Sequence, residues 1–198
     1  ALNSSPSAGL FRGNPDLGRE TSRNFELGVS GVCAGWHTSA AVFYRRDDQL
    51  VDWTFLTGVS ARTANPVDID TTGVELFTRR SFDRFDLVLG YAWLAKDADY
   101  GTTAVDASFD ALNDPRHRLT AAITARLGGG WEVRFDNEAR LQADNLLRTT
   151  RQDAVISALG VYYRPPESPR LTLAVQVDNL WNSDFQDVPA VPAAKRQV

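Results

Sequence analysis

The stretch Trp131-Glu132-Val133-Arg134-Phe135-Asp136-Asn137-Glu138-Ala139-Arg140-Leu141-Gln142 decides the fold. Its odd positions run Trp, Val, Phe, Asn, Ala, Leu; its even positions run Glu, Arg, Asp, Glu, Arg, Gln. A period of two is what a strand with one dry and one wet face requires, whereas a helix would spread these charges round its circumference. The same alternation recurs on either side. Leu119, Ala121, Ile123, Ala125 and Leu127 alternate with Thr120, Ala122, Thr124 and Arg126. Leu171, Leu173, Val175 and Val177 alternate with Thr172, Ala174, Gln176 and Asp178. Shorter versions place Phe25, Leu27 and Val29 on one face, then Leu87, Leu89, Tyr91 and Trp93, then Val155, Leu159, Val161 and Tyr163. Val74 and Leu76 flank Glu75, and the stretch from Trp36 to Arg45 leaves its two faces undecided.

Eight strands are therefore expected, near residues 24–32, 36–47, 71–81, 86–96, 117–127, 131–142, 154–164 and 171–181, with no helix. The joints around Gly31–Gly35, Ser81–Phe85, Gly128–Gly130 and Pro165–Pro169 are short turns. Those over 48–70, 97–115, 143–153 and from 182 onward are long. Short and long joints alternate, so an up-and-down sheet would carry all short turns at one end and all long loops at the other. Outer-membrane barrels sort their loops this way, and Greek-key sandwiches do not. Trp36, Phe82, Phe85, Trp131, Tyr162 and Tyr163 fall near the short-turn end, and Tyr44, Trp53, Trp93 and Trp181 near the long-loop end. Two such girdles of amphipathic rings belong at two membrane interfaces.

At 198 residues the chain holds one sizeable domain. A net charge of −4 and a pI of about 5.2 argue against nucleic acid as a partner. The single cysteine, Cys33, excludes an internal disulfide and a CxxC metal site. No run of about 18 apolar residues exists, which excludes a membrane-spanning helix but not spanning strands. The charged row Glu132, Arg134, Asp136, Glu138 and Arg140 needs water or mutual pairing. Facing lipid it would cost about 2–4 kcal/mol per Arg near the midplane, so this row belongs inside and the apolar row outside.

Several motifs in order resemble the TonB-dependent outer-membrane receptors. Gly13-Asn14-Pro15-Asp16-Leu17-Gly18-Arg19-Glu20 leads into Asn24-Phe25-Glu26-Leu27-Gly28, like that family's Asn-Pro-x-Leu-x-Pro-Glu loop before a Phe/Tyr-Glu-x-Gly strand, with Arg19 where the family has Pro. Val42-Phe43-Tyr44-Arg45, Thr72-Gly73-Val74-Glu75-Leu76 and Pro115-Arg116-His117-Arg118-Leu119 resemble the succeeding strands. Val177-Asp178-Asn179-Leu180-Trp181-Asn182 resembles the penultimate-strand ending. Gln186-Asp187-Val188-Pro189 and Pro192-Ala193-Ala194-Lys195-Arg196 look closest to the vitamin B12 and siderophore receptor branch.

The resemblance implies an all-β, antiparallel up-and-down transmembrane barrel segment, about eight strands of a roughly 22-stranded whole. Residues 1–198 would then be part of the barrel's C-terminal third, lacking the plug domain, the earlier strands and the final strand. It further implies a multi-pass protein of the bacterial outer membrane that takes up cobalamin or a ferric siderophore, driven by TonB through the missing plug, with outer-membrane lipid around it. Trp53, Tyr100 and Trp181, in the outside loops, are the expected ligand contacts.

No catalytic or cofactor motif stands out, so no enzyme activity and no cofactor are expected. His37 and His117 lie near strand starts with no evident catalytic partner, and Cys33 fills a turn. Asp68, Asp70, Asp97, Asp99, Asp106 and Asp110 could hold Ca²⁺ in outside loops, but their spacing fits no fixed ligand set and solvation accounts for them. Two other readings remain. One is an autonomous eight-stranded outer-membrane barrel with a structural or adhesive role, whose last strand would pair with its first. The other is a soluble lipocalin-like barrel with an apolar inside.

Overall fold

The computed structural model describes residues 11–109, 111–168 and 170–198; Asp110 and Pro169 lie outside them. The described residues contain ten strands and no helix: β1 Phe11–Arg12, β2 Thr21–Cys33, β3 Trp36–Phe55, β4 Arg62–Ser81, β5 Phe85–Asp99, β6 Ala107–Ser108, β7 Pro115–Gly128, β8 Trp131–Gln142, β9 Asp153–Tyr163 and β10 Leu173–Val177. Eight form one antiparallel sheet in the order β10-β9-β8-β7-β5-β4-β3-β2, each beside its chain neighbour. This is the expected up-and-down arrangement. β2 and β10 sit at opposite ends of the path and do not pair. The chain therefore forms an open wall and not the closed eight-stranded barrel of the alternative reading.

Register converts the alternation of single strands into two continuous faces, because residues paired across antiparallel strands point the same way. One row runs Leu27, Val42, Val74, Trp93, His117 and Leu141 across six strands. Nearer the short turns, another runs Leu87, Ile123, Phe135, Leu159 and Val177. These side chains face outward, away from the rest of the protein: Leu27 is 76% and Val42 52% exposed. A soluble domain would bury such a band. The register also settles the undecided stretch, putting Ala40, Val42 and Tyr44 on the apolar face.

Rings mark the short-turn edge of the band. Trp131 stacks on Tyr163 at 4.6 Å, Phe82 on Phe85 at 4.3 Å, and Trp36 meets Phe82 edge-on at 6.5 Å. From Trp36 to Tyr44 the strand runs about 27 Å, or about 21 Å across the membrane at a ~40° tilt. That is comparable with the ~25 Å apolar band of an outer-membrane barrel. Gly128, Gly129 and Gly130 all take positive φ and turn the chain from β7 into β8.

The joint expected over 48–70 is not a long loop. β3 and β4 continue as one hairpin to Phe55 and Arg62, leaving only 56–61 as the turn. A bulge between Asp47 and Leu50, with Gln49 at φ 58°, adds residues to β3 and reverses which of its positions face inward. Above the bulge, Leu50, Asp52 and Thr54 join the inner row of Val67, Asn65 and Thr63. Two short strands cover the edges of this projecting hairpin. β1 pairs parallel with Arg62 and Thr63, and β6 pairs with Thr54 and Phe55. Covered edges cannot template further pairing. The last strand is shorter than the expected 171–181, spanning Leu173–Val177, and Asp178 bridges to Gln197.

The buried apolar cluster among the described residues lies in this projecting part, not between sheet layers: Val67, Ile69 and Ala111, flanked by Leu50, Ala98, Tyr100 and Leu112.

Candidate functional site

The face opposite the apolar band carries the charges. Pairing sets Arg118 beside Arg140, Thr120 beside Glu138, Ala122 beside Asp136, Thr124 beside Arg134 and Arg126 beside Glu132. Like charges directly opposite repel, and carboxylates interleaved between the arginines relieve this. Glu138 takes Arg118 at 2.7 Å on one oxygen and Arg140 at 2.6 Å on the other. Arg134 pairs with Asp136 at 2.7 Å, and Arg126 with Asp86. The row is thus largely self-neutralising.

Nearer β2 the same face is different. Glu26 lies opposite Phe43, and Glu75 lies between Ala41 and Ala92; neither forms an ion pair among the described residues. Both line a shallow depression of about 480 Å³ floored by Gly28, Ser39, Ala41, Gly90 and Ala92, with Arg118 on its far side. The floor is smooth because its residues are small. A Cβ at Gly73 would fall 2.2 Å from the Phe43 ring, so that ring can lie flat on the wall only over glycine.

The outside loops are built from tied segments. The β5–β7 connection crosses the inner face of the β3–β4 hairpin and is held by Asp52, which is fully buried. Tyr100 donates its hydroxyl to Asp52 at 2.6 Å, and the Ala111 backbone N–H donates to its other oxygen at 3.1 Å. Burial, then the Asp52 carboxylate, pushes the Tyr100 phenol well above its usual range. Thr57, in the hairpin turn, donates its N–H to Asp106 at 2.8 Å and holds that carboxyl below the usual range.

Arg148 is a second junction. Its guanidinium donates to Gln142 Oε1 at 2.7 Å, to the Gln186 carbonyl at 2.5 Å and to Asn113 Oδ1 at 2.5 Å, joining three loops. All three acceptors are neutral. Burial, and next the nearby Arg140, lower the Arg148 pKa. Gln186, nearly buried, returns bonds to Thr149 and accepts from the Ala190 N–H at 3.2 Å.

The structure does not bring Trp53, Tyr100 and Trp181 together. Tyr100 is on the inner side, bound to Asp52. Trp53 points outward and meets Phe11 edge-on at 5.2 Å. The Trp181 indole N–H donates to Ser157 Oγ at 2.7 Å, and Ser157 in turn donates to Asn137 Oδ1 at 2.7 Å. Asn137, the one polar residue in the apolar row of β8, is thereby satisfied. Of the acidic residues expected in loops, Asp68, Asp70, Asp97 and Asp99 lie in β4 and β5, and three of them have protein partners: Asp68 accepts from the Gln49 N–H, Asp99 from the Gly101 N–H, and Asp70 from Tyr44 and Arg46. Among the described residues no group of three or more His, Cys, Asp or Glu is placed to hold a metal. Asp52, Arg148 and Gln186 carried no sequence signal: the partners that tie them to other loops lie 35 to 59 residues away.

Comparison with known proteins agrees with this geometry. No curated protein matches the chain. Solved structures match it in fold: the FrpB iron transporter from Neisseria meningitidis (TM-score 0.68, 14% identity, over 91% of this chain and 30% of that one), the copper transporter OprC (0.67, 15%, 93% and 32%) and the ferric citrate transporter FecA (0.64, 17%, 88% and 30%). The chain thus spans about a third of the length of these structures. The family profile described as TonB dependent receptor-like, beta-barrel matches residues 2–180. An outward apolar band, an inward charged wall and that match over nearly the whole length lead to one assignment: the chain belongs to the TonB-dependent receptors, as a portion of their β-barrel.

Proposed function

We propose that the chain is part of an outer-membrane receptor that actively imports a scarce metal complex, and that it contributes barrel wall and outside loops rather than any bond-making chemistry. The observation that carries this is the pair of continuous faces, apolar outside and charged inside, on an open wall. Such a wall needs further strands to close it and water or a polar domain within. In this reading the plug domain, the earlier strands and the final strand lie outside residues 1–198. The plug rests against the inner face, where Glu26 and Glu75 offer uncompensated negative charge to basic groups. TonB acts on the plug from the periplasm.

The cargo is a ferric siderophore or cobalamin. Solved relatives named for iron, copper and ferric citrate support a metal complex as the class. Of the three expected contacts, Tyr100 borders the ligand path directly. Trp53 and Trp181 shape it through the loop segments they hold. The test is growth of a strain lacking the gene, supplied with single ferric siderophores or with cobalamin and rescued by the intact gene. Rescue on one compound that depends on TonB supports the proposal. TonB-independent rescue, or none on any metal complex, overturns it.

A further inference from the structure

We propose that Arg80 and the rings of Trp36 and Phe82 form a binding site for the phosphate of a phospholipid in the periplasmic leaflet. The proposal rests on the outer-membrane reading above. Arg80 pairs with Leu87, so it stands in the outward row that continues through Ile123, Phe135 and Leu159. It is a cation in an otherwise apolar row, next to the last residue of β4. At that depth a charge costs about 0–1 kcal/mol rather than the midplane penalty.

Its position is fixed. The guanidinium carbon lies 4.6 Å from the Phe82 ring centre and 5.8 Å from that of Trp36. Its Nε passes close to Gly35, where even a Cβ would come within 3.5 Å. The two rings, set at 84° to one another, hold the guanidinium by cation–π contact and supply no acceptor for its N–H groups. Among the described residues Arg80 makes no ion pair and no side-chain hydrogen bond. This differs from the inner row, where Arg118, Arg126, Arg134 and Arg140 each hold a carboxylate. A planar fork of donors at headgroup depth matches a phosphodiester in charge and geometry. Arg79, Arg84, Arg164 and Arg170 stand near the same rim, against Asp83 and Glu167, so the surrounding charge favours an anion.

The test is native mass spectrometry of the intact receptor purified from outer membranes and titrated with phosphatidylglycerol. Arg80→Gln is expected to lower the lipid-bound fraction about fivefold, the factor expected for one cation near an anionic surface. Arg151→Gln, in the 143–152 segment at the opposite end of the wall and paired with Asp153, leaves it unchanged. Phe82→Leu, which keeps the charge and removes the ring, lowers it by a smaller factor. Each variant is first shown to keep heat-modifiable gel mobility, which reports a closed barrel. Equal retention by wild type and Arg80→Gln overturns the proposal, as does retention of lipopolysaccharide instead of phospholipid. A receptor absent from the outer membrane overturns the parent reading. One that is present there, with lipid retention indifferent to Arg80, overturns only this inference.

Discussion

Leu159 and Ala158 are neighbours in β9 on opposite faces, which makes them a direct probe of which side meets lipid. Leu159 lies in the row of Phe135 and Val177; Ala158 lies opposite Asp136 on the charged row. Four residues separate Leu159 from Tyr163 at the ring girdle, about 13 Å along the strand and about 10 Å in depth after tilt. That is close to the middle of a ~25 Å band. Leu159→Arg should therefore cost about 2–4 kcal/mol, or roughly 30- to 900-fold in the folding equilibrium. Ala158→Arg should stay within about 1 kcal/mol, because its charge enters a hydrated face beside a carboxylate. Urea titration of the intact barrel in lipid vesicles, followed by tryptophan fluorescence and unboiled gel mobility, reads both. Equal costs, or a larger cost for Ala158→Arg, would refute the assignment of faces.

Other outcomes follow from particular contacts. Gly73→Val should impair barrel assembly by about 1–3 kcal/mol, and Phe43→Ala in the same chain should restore most of it, since the two nearest clashing atoms belong to that ring and the third, Leu94 Cδ2 at 2.9 Å, ends a flexible side chain; mobility of unboiled protein checks the pair. Asp52→Asn should leave the barrel folded but speed proteolysis within 100–114, because it weakens the bonds from Tyr100 and Ala111. The Tyr100 phenol has its pKa raised on folding, so its contribution to loop stability is full below the unfolded value near 10 and is lost only as pH climbs toward the higher folded value. Absorbance at about 295 nm should thus show no Tyr100 ionisation near pH 10, taking Tyr100→Phe as the reference. Arg148→Ala should raise amide exchange in 143–152, 178–198 and around Asn113 together, because one side chain joins them.

The membrane-embedded part was legible because lipid and water impose the period-two pattern residue by residue. In β8 and β7 only Asn137 and the irregular ends of the pairing depart from it, and the expected bounds differ from the observed ones by two residues at most. Legibility ended where that constraint ended. Above the girdle the inner face of β3 and β4 is covered by the β5–β7 connection instead of water, the bulge at Asp47–Leu50 shifts the phase, and Pro66 reads as a strand breaker. Pro66 is tolerated because β5 stops at the level of Asp68, so no neighbour needs its missing N–H. The loop junctions were illegible for another reason. Asp52 and Arg148 acquire meaning only through partners on separate hairpins, which no local pattern records.

The inner face also decides between a narrow and a wide lumen. A closed barrel of eight strands fills its interior with side chains, so each inward charge would need a partner within the wall. Glu138, Arg118, Arg140, Arg134 and Asp136 meet that demand, and Glu26 and Glu75 do not. Burying two unpaired carboxylates would cost several kcal/mol each. In a wide barrel they can face water or the basic groups of an inserted domain at little cost. The edges of β2 and β10, unpaired among the described residues, need the same solution, since backbone groups left open in lipid are as costly as buried charges are in a dry core. Side-chain charge and backbone hydrogen bonding, two independent demands, are both met by more strands closing around a hydrated, occupied interior.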